Sequence, residues 1–410
     1  MKNEFDIAIV GGGPVGASLA CCLASSGYRI AVLEKIPVNA DQQPSYDDRG
    51  LALSLSSCRI LKAAGIWQEI KESCVPIKKI HVSDRGNFGI VRLDANELGV
   101  DAMGYVVIAR TLGRALIKRL QSAPDIDFIN PAEVNRLSAD SKGISLSMEN
   151  GNAVQEILCK LVVGADGSHS RVKAMAGLQA EIKDYHQTAI VSNISTDISD
   201  GDTAYERFTP QGPLALLPLG ESDFVSILCV DNKTYQQYME MTDDMYISQL
   251  QEVAGKRIGN ITMSGSRHAY PLQLLKADPS FCDRIVMLGN AAHSIHPNGA
   301  QGFNLGLRDT ACLAELLIKN RRLPGFDPGA KSILEQYQSI RKHDQDRVIG
   351  FSDGLTEIFY SQNPVKKVFR NSAMTLLNVM PGLKRKFAML AMGLDGNQPS
   401  LVRGLQLDQL

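Results

Sequence analysis

Phe5-Asp6-Ile7-Ala8-Ile9-Val10 runs straight into Gly11-Gly12-Gly13-Pro14-Val15-Gly16, and the reading of that stretch decides the fold. The apolar run has the pattern of a strand buried on both faces. Past the glycines, alanines and leucines recur at helical spacing through residues 14–26, and Ile30-Ala31-Val32-Leu33 is a second strand, so the segment reads as a βαβ unit. In a G-x-G-x-x-G at such a junction, Gly11 permits the tight turn, Gly13 lets a pyrophosphate approach the backbone, and Gly16 lets helix and strand pack closely. The helix N-terminus then presents free amides and a favourable dipole to the phosphates. Glu34 ends the second strand, where a carboxylate accepts ribose hydroxyls. A glycine-rich turn alone is weak and does not say which dinucleotide is bound; the strand–turn–helix context and Glu34 together point to dinucleotide binding.

Outward from this unit, residues 50–65 read as a loop followed by a helix, 105–108 as a strand and 112–120 as a helix. Residues 127–163 are β-rich, with a hairpin turn at Glu149-Asn150-Gly151-Asn152. A second β-rich stretch, 189–270, contains strands at Leu214–Pro218 and 224–230 and a helical excursion over 234–253. Residues 285–288 form a buried strand that enters glycine and then a helix over 302–319, and everything beyond Pro328 reads as helical. That order predicts an α/β protein: a Rossmann-like nucleotide-binding domain interrupted by a β-sheet domain, with C-terminal helices.

Two more glycine-centred turns follow the first. In Leu161-Val162-Val163-Gly164-Ala165-Asp166-Gly167-Ser168-His169-Ser170-Arg171 a strand delivers an aspartate flanked by glycines. By itself this is a strand-to-helix turn with a capping Asp. The third runs from Gly289-Asn290-Ala291-Ala292 to Pro297-Asn298-Gly299-Ala300-Gln301-Gly302-Phe303-Asn304. Asn290 can bond a polyol there, and the backbone of 299–302 can hold the carbonyls and ring nitrogens of a flat heterocycle; the plain alternative is a loop with a capped helix.

In this order and spacing the three turns resemble the fingerprints of the flavoprotein aromatic hydroxylases of the p-hydroxybenzoate hydroxylase class, over residues 6–309. The resemblance implies FAD as cofactor and NAD(P)H as transient reductant. It implies that Gly11, Gly13, Pro14, Gly16, Glu34 and Lys35 hold the ADP half, and that Arg49 and Arg110 approach phosphates and ribityl chain. Asp166 and Gly167 become the D-G motif, and Gly289 and Asn290 the ribityl contact. Pro297, Gly299, Ala300, Gln301, Gly302, Phe303 and Asn304 would pack on the isoalloxazine ring. The implied division is a FAD-binding domain in 1–75, 105–178 and 285–345, a substrate-binding sheet in 76–104 and 179–284, and a helical region in 346–410. Two departures stand out. Asn290 replaces the commoner Asp, keeping an acceptor oxygen without the charge. Gly299-Ala300 inverts the usual Ala-Gly, so if the second position needs a positive φ, either Ala300 is strained or the turn shifts.

Within the class the chain is most similar to the ubiquinone-biosynthesis hydroxylases, particularly the UbiH type. The matching segments are Asp48-Arg49-Gly50-Leu51-Ala52-Leu53-Ser54, His81-Val82-Ser83-Asp84-Arg85-Gly86, Tyr205-Glu206-Arg207-Phe208-Thr209 and Gly212-Pro213-Leu214-Ala215-Leu216-Leu217-Pro218. The resemblance implies hydroxylation of a prenylated phenol with O2 through a flavin hydroperoxide. Phe208, Leu216 and Pro297 are the expected substrate wall, and no catalytic residue is named. A deprotonated phenol is the better nucleophile, so a hydrogen-bond acceptor near its hydroxyl would help. His293 and His296 are read as turn-stabilising, and Trp67 as core. Two other classes stay open: a flavin oxidoreductase of an isoprenoid that inserts no oxygen, and a non-catalytic flavoprotein of a biosynthetic complex.

Composition narrows the rest. A chain of 410 residues with 44% apolar and 21% charged residues buries a substantial core. Its formal net charge of -1 gives no basic field for nucleic acid. The eight cysteines form no C-x-x-C pair, so neither a metal site nor dithiol chemistry is expected. With no signal peptide and no apolar stretch of membrane-spanning length, the expected location is cytoplasmic, or peripheral on the inner membrane face. Residues 358–394 contain no Asp or Glu but carry Lys366, Lys367, Arg370, Lys384, Arg385 and Lys386. Their apolar residues fall on two faces: Val365, Val368, Phe369, Leu376 and Met380, then Leu383, Phe387, Leu390, Ala391 and Leu394. Such helices either lie on an anionic membrane or bind a biosynthetic complex, or they pack on the flavin domain or in a homo-oligomer.

Overall fold

The computed structural model describes residues 4–38, 47–139, 143–151, 153–361, 363–396 and 398–405. The turn residue Asn152 lies outside them.

Five parallel strands organise the nucleotide-binding half among the described residues. Glu4–Val10 lies between Ala153–Gly164 and Ile30–Leu33, and Ile285–Met287 pairs on the far side of Ala153–Gly164. Ile126–Ile129 continues the sheet beyond Ile30–Leu33. Because Glu4–Val10, Ala153–Gly164 and Ile285–Met287 run the same way side by side, the turns at their C-terminal ends share one edge. Those are the three glycine turns, and a common strand direction is the reason residues so far apart in sequence meet.

One face of this sheet is covered by the helices Pro14–Leu23, Ala109–Ser122 and Gln301–Asn320, which bury Ile7, Ile9, Leu19, Leu116, Leu307 and Leu313 completely. The antiparallel strands Glu133–Ala139 and Ile144–Asn150 and the short helix Arg171–Met175 cover the other. Residues 50–54, read from sequence as loop, are a strand. Gly50–Ser54 pairs with Gly104–Ile108, which also takes Val75–Ile77, forming a small separate sheet. Small and apolar residues alternate there over too short a run to separate strand from loop by pattern.

The second large sheet has the order His293–Ser294, His268–Ala277, Ala180–Thr196, Asp223–Asp231, Leu214–Pro218, Thr203–Phe208, Lys79–Asp84, Ile90–Asp94. Its outer face packs under Asp243–Ala254, where Tyr205, Leu214, Leu216 and Phe224 meet Tyr246 and Leu250. Strand alternation turns Ala204, Glu206 and Phe208 to the opposite, inner face. His293–Ser294 belongs to this sheet although residues on both sides of it serve the first, so the chain between Met287 and Gln301 ties the two halves together.

Three helices close the chain: Lys331–Tyr360, Pro364–Val379 and Pro381–Ala391. Pro364 and Pro381 each occupy a first helical position, where the missing N–H costs nothing, and the Asn363 side chain accepts the Val365 N–H at 2.8 Å. All eight cysteines are free thiols; burial raises their pKa values, and six are fully buried, as small apolar side chains.

Candidate active site

The three glycine turns line a cleft of about 920 Å³. Gly11, Gly13, Pro14, Glu34, Lys35 and Arg49 form its first wall, Asp166 and Gly167 its second, and Asn290, Pro297, Ala300, Gly302 and Phe303 its third. Gly11 has φ +107°, and a Cβ there would stand 2.4 Å from the carbonyl oxygen of Ala165. The first turn can therefore lie against the second only with glycine at this position. Gly16 works from behind: a Cβ on it would meet the Gly11 carbonyl oxygen at 2.1 Å, so it sets helix against strand and does not line the cleft.

Whether this cleft fits a dinucleotide can be asked of its polar groups. Among the described residues no side chain caps the Pro14–Leu23 helix, whose first residues, Pro14 and Val15, line the cleft. Glu34 accepts Gly12 N–H at 2.7 Å through Oε2 and Ile36 N–H at 2.8 Å through Oε1, leaving lone pairs for hydroxyl donors. Burial raises its carboxyl above the usual range despite those two bonds, which act the other way. Asp166 accepts Arg171 and Val172 N–H through Oδ2, whereas its Oδ1 is buried without a partner. An uncapped helix, a ribose-ready carboxylate and an orphaned acceptor at the wall suit the phosphates and hydroxyls of FAD.

Of the remaining predicted positions, Arg49 and Lys35 stay at the cleft wall, whereas Arg110, Gly289 and Asn304 do not line the cleft. Arg110 lines neither cavity; its guanidinium pairs with Asp48 at 2.8 Å on the surface. Arg49 pairs with Asp47 at 2.8 Å and stacks 4.8 Å over the Tyr270 ring, both at the cleft wall. Lys35 reaches Glu133 at 3.0 Å. Gly289 sits behind the cleft against Val15. Asn304 spends its amide inside the protein: Oδ1 accepts Ser54 N–H and Ser57 Oγ–H, and Nδ2 donates to the carbonyls of Ala52 and Ala300. It pins the glycine loop to the Gly50–Ser54 strand.

That loop is also the wall of a second space. An apolar cavity of about 380 Å³ shares Pro297 and Ala300 with the cleft and adds Gly299, Gln301 and Asn304. Its floor is the inner face of the second sheet; its roof is the three C-terminal helices through Phe351, Phe359, Ala373, Met374, Leu377 and Leu390. Phe208 lines it, stacked on Phe359 with ring centroids 3.6 Å apart. Leu216 does not. It pairs with Tyr205 on the helix-covered face, and the neighbours Ala215 and Leu217 take the cavity positions, because a strand alternates.

Ala300 has φ 51° and ψ 40°, in the left-handed region, directly after Gly299 at φ 65°. The strain foreseen for Ala300 is present, at a cost of about 1–2 kcal/mol. His293 and His296 line neither space. His293 bonds Asp309, and His296 donates to Gln187 Oε1 at 3.1 Å while burial lowers its pKa to about 4, keeping it neutral. Trp67 is partly buried, edge-on to Tyr105.

One residue that sequence reading passed over stands out. Glu206 is on the cavity wall, and burial pushes its carboxyl up to about 8, opposed by a bond from the Gly299 amide. The signal was available: a carboxylate in phase with Ala204 and Phe208 on a strand whose inner face is otherwise apolar. Arg370 also departs from expectation. One of the six basic residues of the 358–394 stretch, it is buried, bonding Asp84 at 2.7 Å.

The family described as FAD binding domain matches residues 4–352. Ubiquinone hydroxylase UbiL of Rhodospirillum rubrum is 33% identical over 405 residues, covering 98% of this chain and 93% of that protein. The 3-demethoxyubiquinol 3-hydroxylase of Escherichia coli is 31% identical over 403 residues, covering 96% and 100%. Among solved structures, p-nitrophenol 4-monooxygenase PnpA of Pseudomonas putida superposes with a TM-score of 0.78 at 18% identity, covering 97% of this chain and 100% of that one.

Proposed function

The chain belongs to the FAD-binding-domain family, and from that premise we propose that it is an FAD-dependent monooxygenase that hydroxylates the ring of a prenylated phenol. The observation that carries this reading is the shared wall: Pro297 and Ala300 border both the cofactor cleft and the apolar cavity. A ring in the cavity then lies one loop away from the flavin end of the cleft.

When bound, FAD supplies reduction by NAD(P)H and activation of O2. This chain supplies the rest. Gly11, Gly13, Glu34, Asp166 and Asn290 would hold the cofactor along the cleft, with the 297–303 loop at its ring end. Phe208 and Phe359 offer a flat apolar surface to the substrate ring. The aliphatic and aromatic roof excludes water, which protects a reactive oxygen species from unproductive breakdown.

The prenyl tail has an evident path. Phe369 lines the cavity yet is 68% exposed, and Val365, Val368 and Val379 beside it are each more than 60% exposed. With Lys366, Arg385 and Lys386 on the same two helices, this surface is suited to an anionic lipid interface. We place the protein peripherally on a membrane through it. Among the described residues no helix is long and apolar enough to cross one.

The reading is tested with purified holoprotein, NADH or NADPH, 2-geranylphenol and isotopically heavy O2. A product carrying one heavy oxygen supports it. Turnover of reductant and phenol without oxygen would replace it with the oxidoreductase reading.

A further inference from the structure

Burying a phenol leaves its one polar group in need of a partner, because an unpaired buried hydroxyl is costly. The cavity wall offers few. Arg370 is engaged by Asp84 through Nε and by the carbonyls of Ile358, Phe359 and Ser361 through Nη1. The Ser54 hydroxyl is tied into the Ser56 and Ser57 hydroxyls. Gln301 Oε1 is buried without a partner and can accept a hydrogen bond, but an amide does not take up a proton. Glu206 can do both. It stands between Ala204 and Phe208 on the inner face of the sheet, opposite Ala215 on one neighbouring strand and Val82 on the other, and all four line the cavity. Gly299 of the shared loop lines the same cavity, at its border with the cofactor cleft, and its amide works against burial in setting the Glu206 carboxyl.

We propose that the Glu206 carboxylate binds the ring hydroxyl of the substrate and takes its proton. This rests on the reading of the cavity as the seat of a phenol. In the step, the phenol O–H bond breaks and a carboxyl O–H bond forms on Glu206; the electron pair stays on the ring oxygen and enriches the ortho and para carbons. Oxygen comes from O2 and the electrons from NAD(P)H. When the attacked carbon later loses its own proton and the ring regains aromaticity, Glu206 returns the proton to the ring oxygen.

Burial pushes this carboxyl up to about 8, closer to the range of a phenol than an ordinary carboxylate stands, which makes proton exchange between the two more nearly balanced. Among the described residues, the titratable groups that feel its charge are Cys229, on the Asp223–Asp231 strand, and Tyr360, at the end of the Lys331–Tyr360 helix. Burial raises both far above neutrality, so neither titrates across the same range.

Two measurements on the FAD-loaded protein test the proposal. Without reductant, wild type binds 2-geranylphenol at least about tenfold more tightly than its methyl ether, which has no donor; Glu206→Leu abolishes that preference. With reductant, Glu206→Gln retains phenol binding but loses about 100-fold or more in kcat, together with the limb of the pH–rate profile near 8, and Glu206→Asp recovers part of both. An undiminished preference in Glu206→Leu, or an unchanged kcat and pH limb in Glu206→Gln, overturns the assignment and leaves the hydroxylase reading intact. A wild type that binds neither compound removes the hydroxylase reading and this assignment together.

Discussion

His293 Nε2 is hydrogen-bonded to Asp309 Oδ2 with both side chains buried, and the other oxygen of the same carboxylate takes Arg341 Nε at 2.6 Å. The chain of charges goes on through Arg341 to Asp344, and from Asp344 to Arg308 and Arg347. His293 lies a few residues before the loop shared by cleft and cavity, so this network clamps that loop to the Gln301–Asn320 and Lys331–Tyr360 helices.

Asp309→Ala should cost about 3–5 kcal/mol, because it removes one of the two carboxylates that neutralise the buried Arg341 guanidinium and takes away the partner of the buried His293 Nε2. Burial alone would raise the carboxyls of Asp309 and Asp344, yet the adjoining arginines hold both below the usual range. A carboxylate with a depressed folded pKa contributes its stability above the unfolded value near 4 and loses it as pH falls through the folded one. Thermal melts between pH 2 and 7 should show wild type losing stability below about pH 4, and Asp344→Asn doing so less steeply.

Ala300→Gly should raise the melting temperature. Relief of about 1–2 kcal/mol of left-handed strain outweighs the loss of about 0.5–1 kcal/mol from a more flexible unfolded chain. A lowered melting temperature would mean that the methyl group makes contacts worth more than the strain.

Glu34→Gln should weaken FAD binding by about tenfold or more. A carboxylate accepts from Gly12 N–H and Ile36 N–H at once, whereas an amide must turn its NH2 toward one of them. Reconstitution of apoprotein followed by flavin absorbance gives the dissociation constant. Equal affinity in the two proteins would detach Glu34 from the ribose.

Replacing Val365 and Val368 with Ser, or Arg385 and Lys386 with Glu, should lower recovery on phosphatidylglycerol vesicles several-fold while leaving bound FAD unchanged, since all four side chains are exposed and remote from the cleft. Unaltered sedimentation with vesicles would assign the exposed face to a protein contact instead.

Sequence was most informative where local rules act. The βαβ unit and the three glycine turns are set by backbone demands that few residues meet, so they could be read residue by residue. The unusual Gly299-Ala300 order even announced a strain that the backbone carries. Gly50–Ser54 and Leu216 were misread because a short strand offers no reliable phase. Only an identified neighbour, here Tyr246 and Leu250 on the outer face, tells which half of an alternating run is inside.

The sequence by itself determined the strand–glycine–helix turns and the family, because those depend on φ, on Cβ clearance and on hydrophobic period within a few residues. Tertiary structure alone decided which side chains reach the second space. Asn304 turns inward to the protein, Arg370 is drawn into a buried pair with Asp84, and Glu206 is left in apolar surroundings beside Gly299. Those outcomes depend on how two sheets and three helices close around a common loop, and closure is a property of distant contacts that no local window contains.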